Sequence, residues 1–248
     1  ITICFIHYGI ERSSIWLLPV YGLAFVSYVI FCKKSALDFR SLMILALVAR
    51  IVLFMATPSL SDDYHRFLWD GQVWVEGINP YQHTPQELDE NKAFQNDVLY
   101  PKLNSVQYHT TYPPLSQYIF SLPAWFGIQS GFMRMTMIRF VLLLFEIGCV
   151  IILYLLTRQT AKVALYAFNP LVLLELTGNL HFEGVVIFFV LLAIWCFNNQ
   201  QWMSGAITMA LGILAKLTPL MLLPIWLKKL GLKNAILSYM VLTIVLVV

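Results

Sequence analysis

Apolar runs close to the length of a membrane crossing, each stopped by a short cluster of charge, constrain this chain more than any single motif. Ile15 to Cys32, Ser41 to Pro58 and Thr136 to Leu156 are the clearest. Shorter runs occupy Val163 to Thr177 and Gly184 to Phe197, and a long one from Trp202 to Leu227 is broken by Lys216 and Pro219. A hydrocarbon core takes about 20 apolar residues as a helix. With 59% hydrophobic and 12% charged residues, the chain also lacks the charge of an ordinary soluble domain. The expectation is an all-α polytopic membrane protein, a single transmembrane domain over residues 1–248, cut from a longer chain at both Ile1 and Val248. Leu115 to Ile128, interrupted by Pro123, reads as a short re-entrant or interfacial helix.

The net charge of +3 is small and the basic residues sit between apolar runs, which excludes a nucleic-acid surface and makes them topology signals. Lys33, Lys34 and Arg40 mark the loop between the first two runs as cytoplasmic, and Lys228, Lys229 and Lys233 follow the last run. The segment from about Ser59 to Tyr112 is then extracytoplasmic, and a connection of that length carries function or structure of its own. Cys4, Cys32, Cys149 and Cys196 are scattered singly, which argues against a disulfide framework or a zinc site.

Chemistry concentrates in Ser61 to Tyr81, SDDYHRFLWDGQVWVEGINPY. Ser61 is a good N-cap, Asp62 and Asp63 suit the positive end of a helix dipole, and Gly77 is the natural stop. Tyr64, Phe67, Leu68, Gly71, Trp74 and Val75 recur at spacings of three and four, a stripe suited to lie on a bilayer interface. Asp63, Arg66 and Asp70 recur on another face. The inference is an amphipathic interfacial helix that turns carboxylates and a guanidinium toward a cavity; a solvated, internally paired charged face is the plain alternative. Gly77-Ile78-Asn79-Pro80-Tyr81 forms a rigid turn and Thr111-Tyr112-Pro113-Pro114 closes the segment, aromatic elements suited to a sugar-binding wall.

The string SDDYHRFLWDG followed by GINPY, and later TYPPL, resembles the first-loop signature of bacterial GT-C integral-membrane glycosyltransferases. It is more loosely similar to the D-x-D loop of the first mannosyltransferase of GPI-anchor synthesis. Asn179-Leu180-His181-Phe182-Glu183-Gly184 and Lys216-Leu217-Thr218-Pro219 resemble later short elements of such enzymes. The resemblance implies a GT-C-type transmembrane helix bundle with a catalytic first loop at 59–112. It also implies a multi-pass chain of a bacterial inner membrane with its site on the extracytoplasmic side. Adjacent Asp62-Asp63 departs from D-x-D.

The reaction it implies is inverting transfer of a hexose, mannose by family, from a polyprenyl-phosphate donor to a glycan or lipid acceptor among membrane lipids. Asp63, favoured over Asp62, is the base. Arg66, Asp70, Asn79, Tyr81, Tyr112, His181, Glu183 and Lys216 are the substrate-binding residues, Lys216 and Arg66 facing the departing phosphate. No metal cofactor is expected. Lys216, within an apolar run, is a functional candidate by cost alone; its plain alternative is a lysine that snorkels or pairs with Glu175 or Glu183. Arg139 and Glu146, seven apart, read as braces of the bundle. Arg50, Lys216, Glu146 and the proline-broken helices would also suit a lipid-linked sugar flippase or transporter. A carboxylate cluster at a helix mouth rather than at midplane argues for the enzyme. A scaffold subunit is the third reading.

Overall fold

The structure is a computed structural model that describes residues 2–34 and 36–247, without the side chains of residues 227–229 and 247. Lys228 and Lys229, part of the basic cluster after the last run, therefore fall outside the described side chains. Helices make up the described fold and no strand occurs among the described residues. In chain order they are α1 Thr2–Gly9, α2 Leu17–Lys34, α3 Phe39–Ile51, α4 Asp63–Val75, α5 Pro85–Glu90 and α6 Pro114–Trp125. There follow α7 Gly131–Thr157, α8 Thr160–Ala167, a π-helical turn Val172–Gly178, α9 Glu183–Asn198, α10 Trp202–Ala215, a 3-10 turn Thr218–Leu222, α11 Leu223–Leu230 and α12 Leu232–Val247.

The expected polytopic bundle is not what these apolar runs build. Among the described residues two helices, α2 and α7, are long and apolar enough to cross a membrane. A third counts only if the π-helical turn and α9, bent by 110°, make one span. The assignment of a multi-pass chain in a bacterial inner membrane falls with that bundle. The reason is local chemistry. The run Ser41 to Pro58 yields α3 of 13 residues, because the segment beyond Ile51 goes into turns and Thr57-Pro58 disfavours helix. The run Trp202 to Leu227 divides at Lys216, whose backbone is extended (φ −160°, ψ 141°), and again at Pro219 and Pro224. Part of the apolar surface of the helices is buried on one another, α9 on α10, α10 on α12 and α7 on α9, while Ile44, Val48 and Ile51 of α3 and Leu232, Met240 and Ile244 of α12 stay exposed.

The main core lies where α4, α6, α7 and α9 meet. Phe67, Trp69, Phe120, Met135, Ile138, Leu142, Phe182 and Val185 are each at most 1% exposed. Phe67 stacks on Phe120 at 4.5 Å, and Phe182 closes on both rings edge-on. α4 is thus a core helix, not an interfacial one. Its stripe is covered by α6, so closely that an added Cβ on Gly71 would stand 2.0 Å from the Phe120 carbonyl oxygen. α6 is built into this core by one face: Ser116, Gln117, Ile119, Phe120 and Ser121 are buried.

Two charged braces sit deeper. Arg50 Nε pairs with Glu146 Oε2 at 2.8 Å, both fully buried, and Thr177 Oγ1 donates to Glu146 Oε1 at 2.8 Å. Arg139 donates to the carbonyls of Phe54, Thr177 and Gly178. Arg139 and Glu146 brace the fold as expected, through separate partners.

Candidate active site

The helix that carries the acidic cluster begins one residue later than its sequence predicts. Asp62 occupies the N-cap without a side-chain cap bond, and the Ser61 hydroxyl accepts from the Asp63 amide at 3.4 Å. Gly77, at φ +79°, ends it as expected. In an α-helix successive residues point about 100° apart, so the two aspartates diverge. Asp63 lines a cleft of about 320 Å³ together with Arg66, Phe67, Ser105, Tyr108, His109, Thr110, Thr111 and Tyr112. Asp62 is exposed and lies within electrostatic reach of Tyr64 and His65 instead.

Inside the cleft Asp63 Oδ1 accepts from the Asn104 amide at 3.2 Å and keeps the rest of its carboxylate open. Arg66, 8% exposed, donates from Nε to Asp70 Oδ1 at 2.7 Å and from Nη1 to the Ser105 carbonyl at 2.9 Å. Asp70 forms the layer beneath, 2% exposed. Burial raises its carboxyl above the ordinary aspartate value, against the opposing pull of Arg66, Thr110 and Gln117. Gln117 reaches across from α6 to donate to Thr110 Oγ1 at 2.8 Å, which ties the cleft wall to the helix floor.

Tyr112 is the hub. It packs edge-on against Phe67 and Phe120, and burial, then Glu183, Asp63 and Asp70, raise its hydroxyl well above the phenol value. Carboxylates of two elements, Asp63 and Asp70 on α4 and Glu183 on α9, thus act electrostatically on one side chain. Lys216 stands over that ring at 5.8 Å from its centroid and pairs with Glu183 at the start of α9. Of the partners open to this lysine, the fold pairs it with Glu183 rather than Glu175 and leaves it about a third exposed.

Tyr81 holds Tyr112 from behind by donating to its carbonyl at 2.8 Å, its own hydroxyl pushed up to about 12 by burial and by Asp70. Asn79 acts within the turn, its Oδ1 accepting from the Tyr81 amide at 2.9 Å. His181 lies apart from the cleft, between Glu175 and Ser61. The fold thus brings Asp63, Arg66, Asp70, Tyr112, Glu183 and Lys216 together, with Tyr81 and Asn79 as supports.

Asn104, Ser105, Tyr108, Thr110 and Gln117 escaped the sequence reading. Their signal was weak, since loop residues carry no period. Only the density of hydroxyl, amide and aromatic side chains in residues 104–112 marked the segment. Among the described residues no three His, Cys, Asp or Glu side chains converge as a metal site.

No curated protein and no solved structure matches the chain. A family of known transferases does, over residues 7–229, and the match spans the acidic helix, the cleft, Glu183 and Lys216 alike. The chain belongs to the MptA/B family, by its description the N-terminal domain of alpha-(1->6)-mannopyranosyltransferases, and so to the GT-C glycosyltransferases.

Proposed function

We propose that this mannosyltransferase domain moves a mannosyl residue from a polyprenyl-phosphate donor to a hydroxyl of a glycan or lipid acceptor, with inversion at the anomeric carbon. The observation that carries the reading is the sorting of charge about Tyr112. An open carboxylate, Asp63, faces a cleft rich in hydroxyls and aromatic rings. An ammonium about a third exposed, that of Lys216, stands over the ring. A base and a cation near one aromatic ring suit a displacement in which a proton leaves one reactant and negative charge accumulates on the other.

In this reading the acceptor sugar lies in the cleft against Tyr108, Thr110 and Thr111, and Asp63 takes the proton of its attacking hydroxyl. The bond from that oxygen to the anomeric carbon forms as the bond to the phosphate oxygen breaks, and the phosphate departs as an anion toward Lys216. Arg66, its Nη2 without a partner, adds positive charge on the base side. No step passes through a metal ion. A lipid chain on the phosphate has a place as well. A largely apolar groove of about 280 Å³, with Val186, Ile187, Val190, Leu191, Thr218 and Leu222 among its lining, begins one turn past Glu183 and two residues past Lys216.

The test is transfer of labelled mannose from a polyprenyl-phosphate donor to a panel of glycan and lipid acceptors by the purified protein. Loss of a general base costs about 10²–10⁴-fold, so Asp63→Asn should lose turnover by that factor while Asp62→Asn stays near wild type. Near-normal turnover of Asp63→Asn at saturating donor would remove Asp63 as the base.

A further inference from the structure

Outside the cleft the fold assembles a carboxylate, an imidazole and a hydroxyl in line. Glu175 Oε2 meets His181 Nδ1 at 3.3 Å, and His181 Nε2 meets Ser61 Oγ at 3.3 Å. In a serine hydrolase this order activates the hydroxyl as a nucleophile. Here the surroundings oppose that role. Ser61 Oγ also accepts from the Asp63 amide, and the carboxylates of Asp62 and Asp63 follow directly, where acyl transfer would need donors for an oxyanion.

What the line does reach is the approach to the acidic helix. Asn179, fully buried, donates to Glu175 and accepts from the Leu60 amide at 3.4 Å. Tyr21 donates to the other Glu175 oxygen at 3.4 Å. Between Asn179 and His181, Leu180 is held at φ +62°, a left-handed conformation unfavourable for a non-glycine residue. Arg139 grips the carbonyls of Thr177 and Gly178 and, on the same guanidinium, that of Phe54. The chain entering α4 is therefore tied at Phe54, Leu60 and Ser61 to one short stretch, residues 175–181.

We infer that Glu175, His181 and Ser61 are positioning residues that set the first turn of α4 so that Asp63, and not Asp62, faces the cleft. Both ring nitrogens of His181 are engaged within the fold, so it acts through Ser61 rather than on a ligand. The inference rests on Asp63 being the base. A loosened Ser61 lets the N-terminal turn rotate, and neighbouring side chains on a helix differ by the same angle that separates cleft from solvent. Substrate affinity depends on the cleft wall and on Lys216, with which Glu175, His181 and Ser61 share no hydrogen bond or ion pair. Loss of the line therefore lowers kcat and spares KM.

The experiment compares Ser61→Ala, Ser61→Thr, His181→Ala and the double variant Ser61→Ala/His181→Ala in the mannosyl-transfer assay, with Asp63→Asn alongside. Ser61→Ala and His181→Ala should each lower kcat about tenfold or more with KM for donor and acceptor within about twofold. The double variant should be no worse than the singles, since residues acting through one line are not additive, and Ser61→Thr should recover most of the rate. A kcat within about twofold of wild type in His181→Ala, or a raised donor KM with kcat unchanged, overturns the inference. So does covalent labelling of Ser61 by phenylmethylsulfonyl fluoride. If Ser61→Ala fails to accumulate, His181→Ala, which keeps the serine, decides alone. Activity retained in Asp63→Asn would instead strike the base assignment, a separate failure.

Discussion

Asp62 and Asp63 are identical in chemistry and adjacent in sequence, yet one lines the cleft and the other faces solvent. That divergence was legible only as a preference, since Asp63, Arg66 and Asp70 recur at i, i+3 and i+7 but Asp62, Arg66 and Asp70 recur as well at i, i+4 and i+8. The partners that complete the site were not: Asn104, Thr110 and Gln117 arrive through loop closure and helix packing, which leave no period. Lys216 shows the limit from the other side, since cost alone marked it as functional and could not name Glu183 as its partner. Lys216→Met should keep the stem over Tyr112 and raise the donor KM roughly tenfold, about 1–2 kcal/mol, modest because the pair is partly exposed. An unchanged donor dependence would take Lys216 out of the site. His7 offers a residue-scale test of the support beneath the site. It is 2% exposed and packs against Gly178, with the Leu53 backbone as a weak polar neighbour. Burial, then the charge of Arg139, lowers its pKa to about 4 from 6.5. With the folded value depressed, the unfolded chain binds more protons, so this contribution to stability is present above 6.5 and is lost as pH falls toward about 4. The loss is at most about 3 kcal/mol. Denaturant unfolding across that range should show a shallower decline in His7→Leu than in wild type, and equal slopes would clear His7.

At the scale of the element, the sequence marks the extent of α4 but not what covers it. Its start fell within one residue of the prediction and Gly77 stops it, because caps and positive φ are local chemistry. The apolar stripe was also real, but the same period fits a helix on a lipid surface and a helix beneath another helix. Two residues in the stripe held the distinction. Phe67 is a flat ring that stacks on Phe120, and Gly71 removes the side chain where the α6 backbone passes. Gly71→Ala places a methyl against the Phe120 carbonyl, backbone that cannot swing aside as a side chain would. The expected cost is about 3 kcal/mol or more, the upper end for overpacking. Since α4 carries Asp63 and Arg66, kcat should fall with the melting midpoint. An alanine variant as stable as wild type would mean that α4 and α6 stand farther apart.

For the molecule as a whole, hydropathy identified an all-helical fold and overcounted its membrane-length helices. Summing apolar residues along a run cannot see that Arg50, inside such a run, turns inward to Glu146, or that Lys216 and Pro219 divide another. Charge at these points is the signature of helices packed on one another around polar contacts, as much as of a functional site in lipid. The pair Arg50–Glu146 spans α3 and α7 and, through Thr177, reaches the π-helical turn that precedes the Leu180–His181 stretch. Removing one partner strands the other charge where it is fully buried, which costs about 3–5 kcal/mol, whereas replacing both by apolar residues of similar volume is often close to neutral. Glu146→Leu and Arg50→Met alone should therefore destabilise strongly, and the double variant should recover most of the loss. Thr177 would lose its acceptor in any variant lacking Glu146, so a residual cost of about 1 kcal/mol should persist in the double variant. Melting midpoints of the three variants measure this directly. Strictly additive losses in the double variant would show that the two side chains do not form a pair, and the brace joining α3 and α7 to the turn would have to be sought in Arg139 alone.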